Sequence, residues 1–351
     1  MLPSALREGP NGVSRPKATG YLKEVLTVYL DQKDWIGLAK AIYNAKATDP
    51  QRVVARNLKA LADSGVVRFP VSDTHLMEAS KIRNQQRRLQ LASVFARFAQ
   101  GWFLASRQAR LAFEIEHAIA RLLEIAPCRA TFEPVAKNFF WAFGEGSFLA
   151  ELLSIGEERL QRISNAMEPE TLLRDYLAFD DEHLRTVAVE RLTKGREELA
   201  ARIEARRVRM RQESEDMRVR VYSALLFSES QEKFQVGLRA LGRTFSELLA
   251  LPNDRVAAVI DLIPCFDVER GLAIRGERDG PRNSNDIFDI AALTGAIPYC
   301  DIVLADNFWV HICRVSGIAA KYQTAILSSL EELEAELTGR YALPEDLSGV
   351  E

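Results

Sequence analysis

The chain has few of the residues that usually betray a function. Its four cysteines, Cys128, Cys265, Cys300 and Cys313, form no CxxC pair, which argues against a zinc site or a disulfide framework and fits a reducing cytoplasm. No apolar run reaches the roughly eighteen residues of a membrane span. The start, MLPSALREGPNGVSRPKATG, lacks the apolar core of a signal peptide, so residues 1–20 are expected to form a flexible leader. A formal charge of −3 and a pI near 6.0 carry no global mark of a nucleic-acid binder, so any such binding must rely on local patches. No internal repeat is present, and the FGEGS segment from Phe143 to Ser147 lacks the lysine and spacing of a phosphate-cradling loop.

What is present is acid at the ends of apolar runs. In the 351 residues, 47% of them hydrophobic, the most informative stretch is Asn285 to Trp309, NDIFDIAALTGAIPYCDIVLADNFW. It reads as a helix, a turn and a buried strand, Ile302 to Ala305, closed by Asp306. Asp286 and Asp289, three apart, share a helical face that packs toward Asp306 if helix and strand are neighbours. Carboxylates so crowded repel one another unless a cation neutralises them, and oxygen-only sites favour Mg²⁺ or Mn²⁺. Each acid also has an ordinary role open to it, since acids near a helix start favour the helix dipole.

The same pattern opens the chain. Val25 to Leu30 reads as a strand ending at Asp31, followed by a helix from Trp35 to Ala45. A second strand, Val66 to Val71, leads through the cap Ser72 into a helix where His75 and Glu78 share one face and Glu78 could point at the strand ends. From residue 84 to 250 the pattern is long helices. Leu91, Val94, Phe95 and Phe98 form one stripe, Ile115, Ile119, Leu122 and Leu123 another, and Phe234, Leu238, Leu241, Phe245 and Leu248 a third. Two basic clusters fall here. Lys81, Arg83, Arg87 and Arg88 continue the Glu78 helix if it is unbroken, whereas Arg202, Arg206, Arg207, Arg209 and Arg211 are interleaved with acids, as on a solvated face. Gly271 to Ser284 reads as an exposed loop whose Arg275, Arg278 and Arg282 are candidate contacts to a polyanion. A helix over Phe308 to Val315, a strand over Tyr322 to Leu327 and a helix over Leu330 to Leu337 close the fold.

Asp31, Glu78, Asp289 with Asp286 a turn before it, and Asp306 make a set more specific than any member. With them the chain resembles the PIN-domain nucleases, over roughly Glu24 to Ile82 and Pro252 to Leu327. DIAALTGA, from Asp289 to Ala296, followed by DIVLAD to Asp306, matches the spacing of that family's late motif. The chain departs from the pattern in having Gln32 and Lys33 after the first acid, and Leu304 and Asn307 around the last. The resemblance implies a three-layer α/β/α fold with a central, mostly parallel sheet. Its two parts would be residues 21–83 and 251–340, with 84–250 a helical insertion or subdomain and 341–351 a loose tail.

It further implies a metal-dependent endonuclease. Asp31, Glu78, Asp289 and Asp306 would hold Mg²⁺ or Mn²⁺, Asp286 would assist, and Lys33, Arg83, Arg87, Arg275, Arg278 and Arg282 would contact nucleic acid, most simply single-stranded RNA. A toxin, defence or RNA-processing role, regulation by an inhibitor protein, and self-association are all consistent with this. Two alternatives stand beside it: a catalytically silent PIN-like scaffold whose helices bind a partner protein, and a related nuclease acting on DNA.

Overall fold

The computed structural model describes residues 25–144, 156–178, 182–277 and 286–343. Arg278, Arg282 and the leader fall outside them. Four strands form the central sheet: β1 (Leu26–Tyr29), β2 (Val67–Arg68), β5 (Ile302–Leu304) and β6 (Ala325–Leu327), in the order β2-β1-β5-β6 with every pairing parallel. A short antiparallel pair, β3 (Phe103–Leu104) with β4 (Val135–Ala136), lies within the stretch expected to be wholly helical.

Strand alternation builds the layers. Val28, Leu30, Ile302 and Leu304 face one core, filled by α1 (Gln32–Tyr43), α2 (Asp49–Asp63), α4 (Gln85–Ala99) and α17 (Leu330–Arg340). Tyr29, Val303, Ala305 and Ile326 face the other, covered by α13 (Pro264–Gly276), α14 (Asp286–Ala296) and α15 (Asn307–Val315). The result is a three-layer α/β/α arrangement with a large helical part beside it, an architecture shared by many superfamilies, PIN-like ones included.

Wholly buried Trp35 anchors the first core, meeting Phe95 edge-on at 5.0 Å between ring centroids and His75 at 6.0 Å. The Leu91, Val94, Phe95 and Phe98 stripe is buried in the same core. The third stripe lies in a separate core with Ile115 and Ile119. Its residues come from two helices rather than one, Gln231–Ala240 and Phe245–Leu249, because Gly242 turns the chain at φ +66°.

Several expected boundaries move. The second strand ends at Arg68, since Pro70 has no N–H to extend the ladder; beyond it only Val71 pairs, bridging to Phe103. The helix α3 (Asp73–Ser80) does not run on through the basic cluster. It stops at Lys81, and Asn84 caps a new helix by accepting from the Arg87 amide. Residues 271–276 are not loop but the last turns of α13, held in the helix by burial of Leu272, Ala273 and Ile274. The final strand starts late because Tyr322 ends a short helix, Ile318–Tyr322, and Gln323 then adopts φ 55°.

Candidate acidic active site

β1 and β5 are neighbours, and their onward connections lead to opposite sides of the sheet. The crevice at their carboxyl ends is therefore the topological switch point where open α/β sheets place ligands. Asp31 follows β1 and Asp306 follows β5. Both carboxylates cap helices: Asp31 accepts from the Gln32 amide at 2.6 Å, and Asp306 accepts from the Trp309 amide at 2.9 Å. Asp289, in the first turn of α14, accepts from the Trp309 indole Nε1 at 3.1 Å.

Electrostatics show which acids share one field. Burial, then the Asp31 charge, push Asp289 up to about 7; Asp306 and Asp286 add to the rise, and the Trp309 hydrogen bond opposes it. Burial also raises Asp31, with Asp306 adding to the effect while the Gln32 amide and Lys33 oppose it. Asp289 thus lies within reach of the charges of Asp31, Asp306 and Asp286, and Asp31 within reach of that of Asp306.

Glu78 lies on a different helix from the other acids. It is half-buried on α3, and its charge acts, after burial and with Asp31 and Asp73, on the Tyr29 hydroxyl, whose pKa is raised. α3 does touch α14, where the Lys81 ammonium lies 3.9 Å from the centroid of the Phe288 ring.

The basic candidates have varied surroundings. Lys33 Nζ donates to the carbonyls of Ala305 at 2.8 Å and Ser328 at 3.0 Å, tying the ends of β5 and β6 to α1. Arg83 and Arg87 are exposed. Arg88, in contrast, is buried and donates to the carbonyls of Leu177, Ile82 and Arg83, a structural role. Arg275 pairs with Glu215 at 2.9 Å. In the later cluster Arg207 pairs with Glu204 on its own helix, as the interleaved charges suggested, whereas Arg206 pairs with buried Glu277 at the end of α13 and is packed there instead of lying on a solvated face.

Two acids near the crevice were not singled out from sequence. Asp34 is buried on α1 with Oδ2 lacking a hydrogen-bond partner among the described residues. It is lifted to about 7, chiefly by burial, with Lys33 opposing and Asp31 adding. Its three-residue spacing from Asp31 was a usable signal. Asp73 is raised by burial against the opposing charge of Arg110, and only the fold brings those two together.

An all-carboxylate donor set suits a hard divalent cation. Among the described residues, however, no group of three or more histidine, cysteine, aspartate or glutamate side chains is arranged to hold one. The acids are close enough to repel, but their carboxylates are turned to helix amides and an indole instead of converging. No protein-family model, curated protein or solved structure matches this chain.

Proposed function

We propose that the acidic crevice binds Mg²⁺ or Mn²⁺ and hydrolyses phosphodiester bonds, with single-stranded RNA as the substrate class. The observation that carries this reading is the position of Asp31 and Asp306 at the ends of adjacent strands at the switch point, with Asp289 raised to about 7 in their field. Asp31, Asp289, Asp306 and Glu78 would hold the cation, which when bound lowers the pKa of a water and offsets charge on the leaving oxygen. To do so the carboxylates must turn from their capping partners toward one centre. Asp286 would orient water at the rim, and exposed Arg83 and Arg87 would contact backbone phosphates.

A second reading, the silent scaffold, has its own support. The described residues present no ready metal cradle, and Asp31, Asp289 and Asp306 each have a structural hydrogen bond that needs no cation. The geometry supports the scaffold better than the nuclease, because the scaffold requires no rearrangement whereas the nuclease does. For a DNA nuclease the candidate clamp is smaller than the sequence offered, since Arg206 and Arg207 are ion-paired while Arg202, Arg209 and Arg211 are exposed.

The deciding experiment is cleavage of mixed single-stranded RNA and DNA with Mn²⁺ or Mg²⁺, beside Asp31→Asn and Asp306→Asn. Asparagine caps helices as well as aspartate, so both variants keep the fold while losing charge. Metal-dependent cleavage that falls by about a hundredfold or more in both supports the nuclease. Absence of both cleavage and metal binding in the unaltered protein would transfer the assignment to the scaffold.

A further inference from the structure

A buried polar group outside the crevice grips the acidic helix. Helix α5 (Arg107–Leu122) presents Arg110 and Glu114, four residues apart on one face and only 2% and 3% exposed. Glu114 accepts from the Cys265 amide at 2.8 Å, the Cys265 thiol at 3.0 Å and the Tyr299 hydroxyl. Arg110 Nη1 donates to the Ala105 carbonyl, and the charges of Asp73 and Glu114 both act on the guanidinium.

That guanidinium rests against Gly295, near the carboxyl end of α14. A Cβ there would lie 2.7 Å from Arg110 Cζ and 2.8 Å from Nη1, and closer still to Nη2. Gly295 does not have a left-handed φ, so glycine serves space at this position and not backbone conformation. Tyr299, bound by Glu114, lies in the turn between α14 and β5. One face of α5 therefore holds the end of the helix that carries Asp286 and Asp289, and also the turn that leads to Asp306.

We propose that Arg110 and Glu114 are positioning residues that seat the acidic helix α14 beside the ends of β1 and β5, so that α5 sets the carboxylate geometry. The consequence for cation binding rests on the function proposed above; the seating itself does not. Buried charged groups rarely add stability over an apolar pair, but they can fix a unique placement, and fixing placement is the role assigned here.

Gly295→Ala tests the seat, because its methyl group cannot be accommodated unless α14 or the guanidinium moves. The Trp309 indole N–H resonance, assigned with Trp309→Phe, reports placement without any metal, since that proton is donated to Asp289 on α14. The expected result is a shifted indole resonance and Mn²⁺ affinity lowered by about tenfold or more in calorimetric titration. Arg110→Ala alone removes the seat without adding bulk, and should likewise shift the indole resonance and lower Mn²⁺ affinity by about tenfold. The milder Tyr299→Phe removes one donor to Glu114 and should weaken Mn²⁺ binding by about two- to tenfold.

An unshifted indole and unchanged affinity in folded Gly295→Ala would overturn the proposal, as would a folded Arg110→Ala whose indole resonance and affinity match those of the unaltered protein. If the unaltered protein binds no Mn²⁺, the metal reading fails, and the indole resonances of Gly295→Ala and Arg110→Ala alone decide the seating.

Discussion

The Trp309 indole donates to Asp289 Oδ2 at 3.1 Å while the Trp309 backbone amide donates to Asp306 Oδ1 at 2.9 Å. A single residue thus links the acid of α14 to the acid that ends β5. Trp309 is also a nearly fully buried member of the second core. Trp309→Phe keeps much of the ring volume but removes the indole donor, and should cost about 1–3 kcal/mol in denaturant unfolding. Because the lost hydrogen bond had been holding the carboxyl down, Asp289 should titrate higher still, visible as an upward move of its carboxyl carbon titration by NMR.

The contribution of Asp289 and Asp34 to the stability of the metal-free protein should fall as pH rises from about 4 to 7. Asp289 and Asp34 both have folded pKa values of about 7, above the usual carboxylate value of 3.8. The folded state therefore binds more protons than the unfolded state across that window, and the stability this confers is lost as pH rises through about 7. Asp289→Asn should flatten this limb and raise the pH 8 melting midpoint by about 2 °C. Melting curves recorded in chelator at pH 5 and pH 8 check this; an unchanged slope in the variant would refute it.

On the acid side the sign reverses at His75. It is buried, stacks on Tyr29 at 4.8 Å between centroids, donates from Nε2 to the Leu30 carbonyl at 2.8 Å and accepts the Ser72 amide at Nδ1. Burial lowers its pKa to about 3, with the Leu30 carbonyl opposing. Its neutral form contributes stability that is complete above about 6.5 and lost as pH falls toward 3. His75→Ala should cost about 2–4 kcal/mol at pH 7, through the cavity and two orphaned backbone groups. The variant's loss relative to the unaltered protein should shrink at pH 4.

Arg83 and Arg87 are the exposed arginines nearest the acidic helix α3 in sequence. Reversing both charges should weaken binding of single-stranded oligonucleotides, and should lower the slope of log affinity against log salt by about 0.7 for each phosphate no longer neutralised. Fluorescence anisotropy at two salt concentrations measures this. An unaltered slope would remove both residues from the interface. Arg88→Ala, by contrast, should act on stability alone, because its guanidinium is enclosed among backbone carbonyls.

Sequence by itself determined the parts of the fold that depend on local pattern. Apolar runs ended by Asp31 and Asp306 mark β1 and β5, since they are short, rich in β-branched residues and abruptly bounded, as buried strands are, and the acid that follows suits a helix cap. The Leu91 to Phe98 stripe marks a core helix for the same kind of reason, its helical spacing gathering apolar side chains on one face.

What only tertiary structure decided depends on neighbours distant in the chain. Asp34 and Asp289 depart from ordinary aspartates because burial removes water from their carboxylates, and no short motif encodes that. Arg275 reads as a loop residue from its Gly- and Arg-rich surroundings, yet burial of Leu272 and Ile274 keeps it helical and Glu215 takes its charge. The hold of Arg110 on Gly295 joins positions 185 residues apart, and it exists only because the Arg110 guanidinium fills the space beside Gly295 and leaves no room there for a second side chain. Local pattern thus set which acids stand at the strand ends and which helix amides they cap, and long-range packing set how far water is removed from the acids around them.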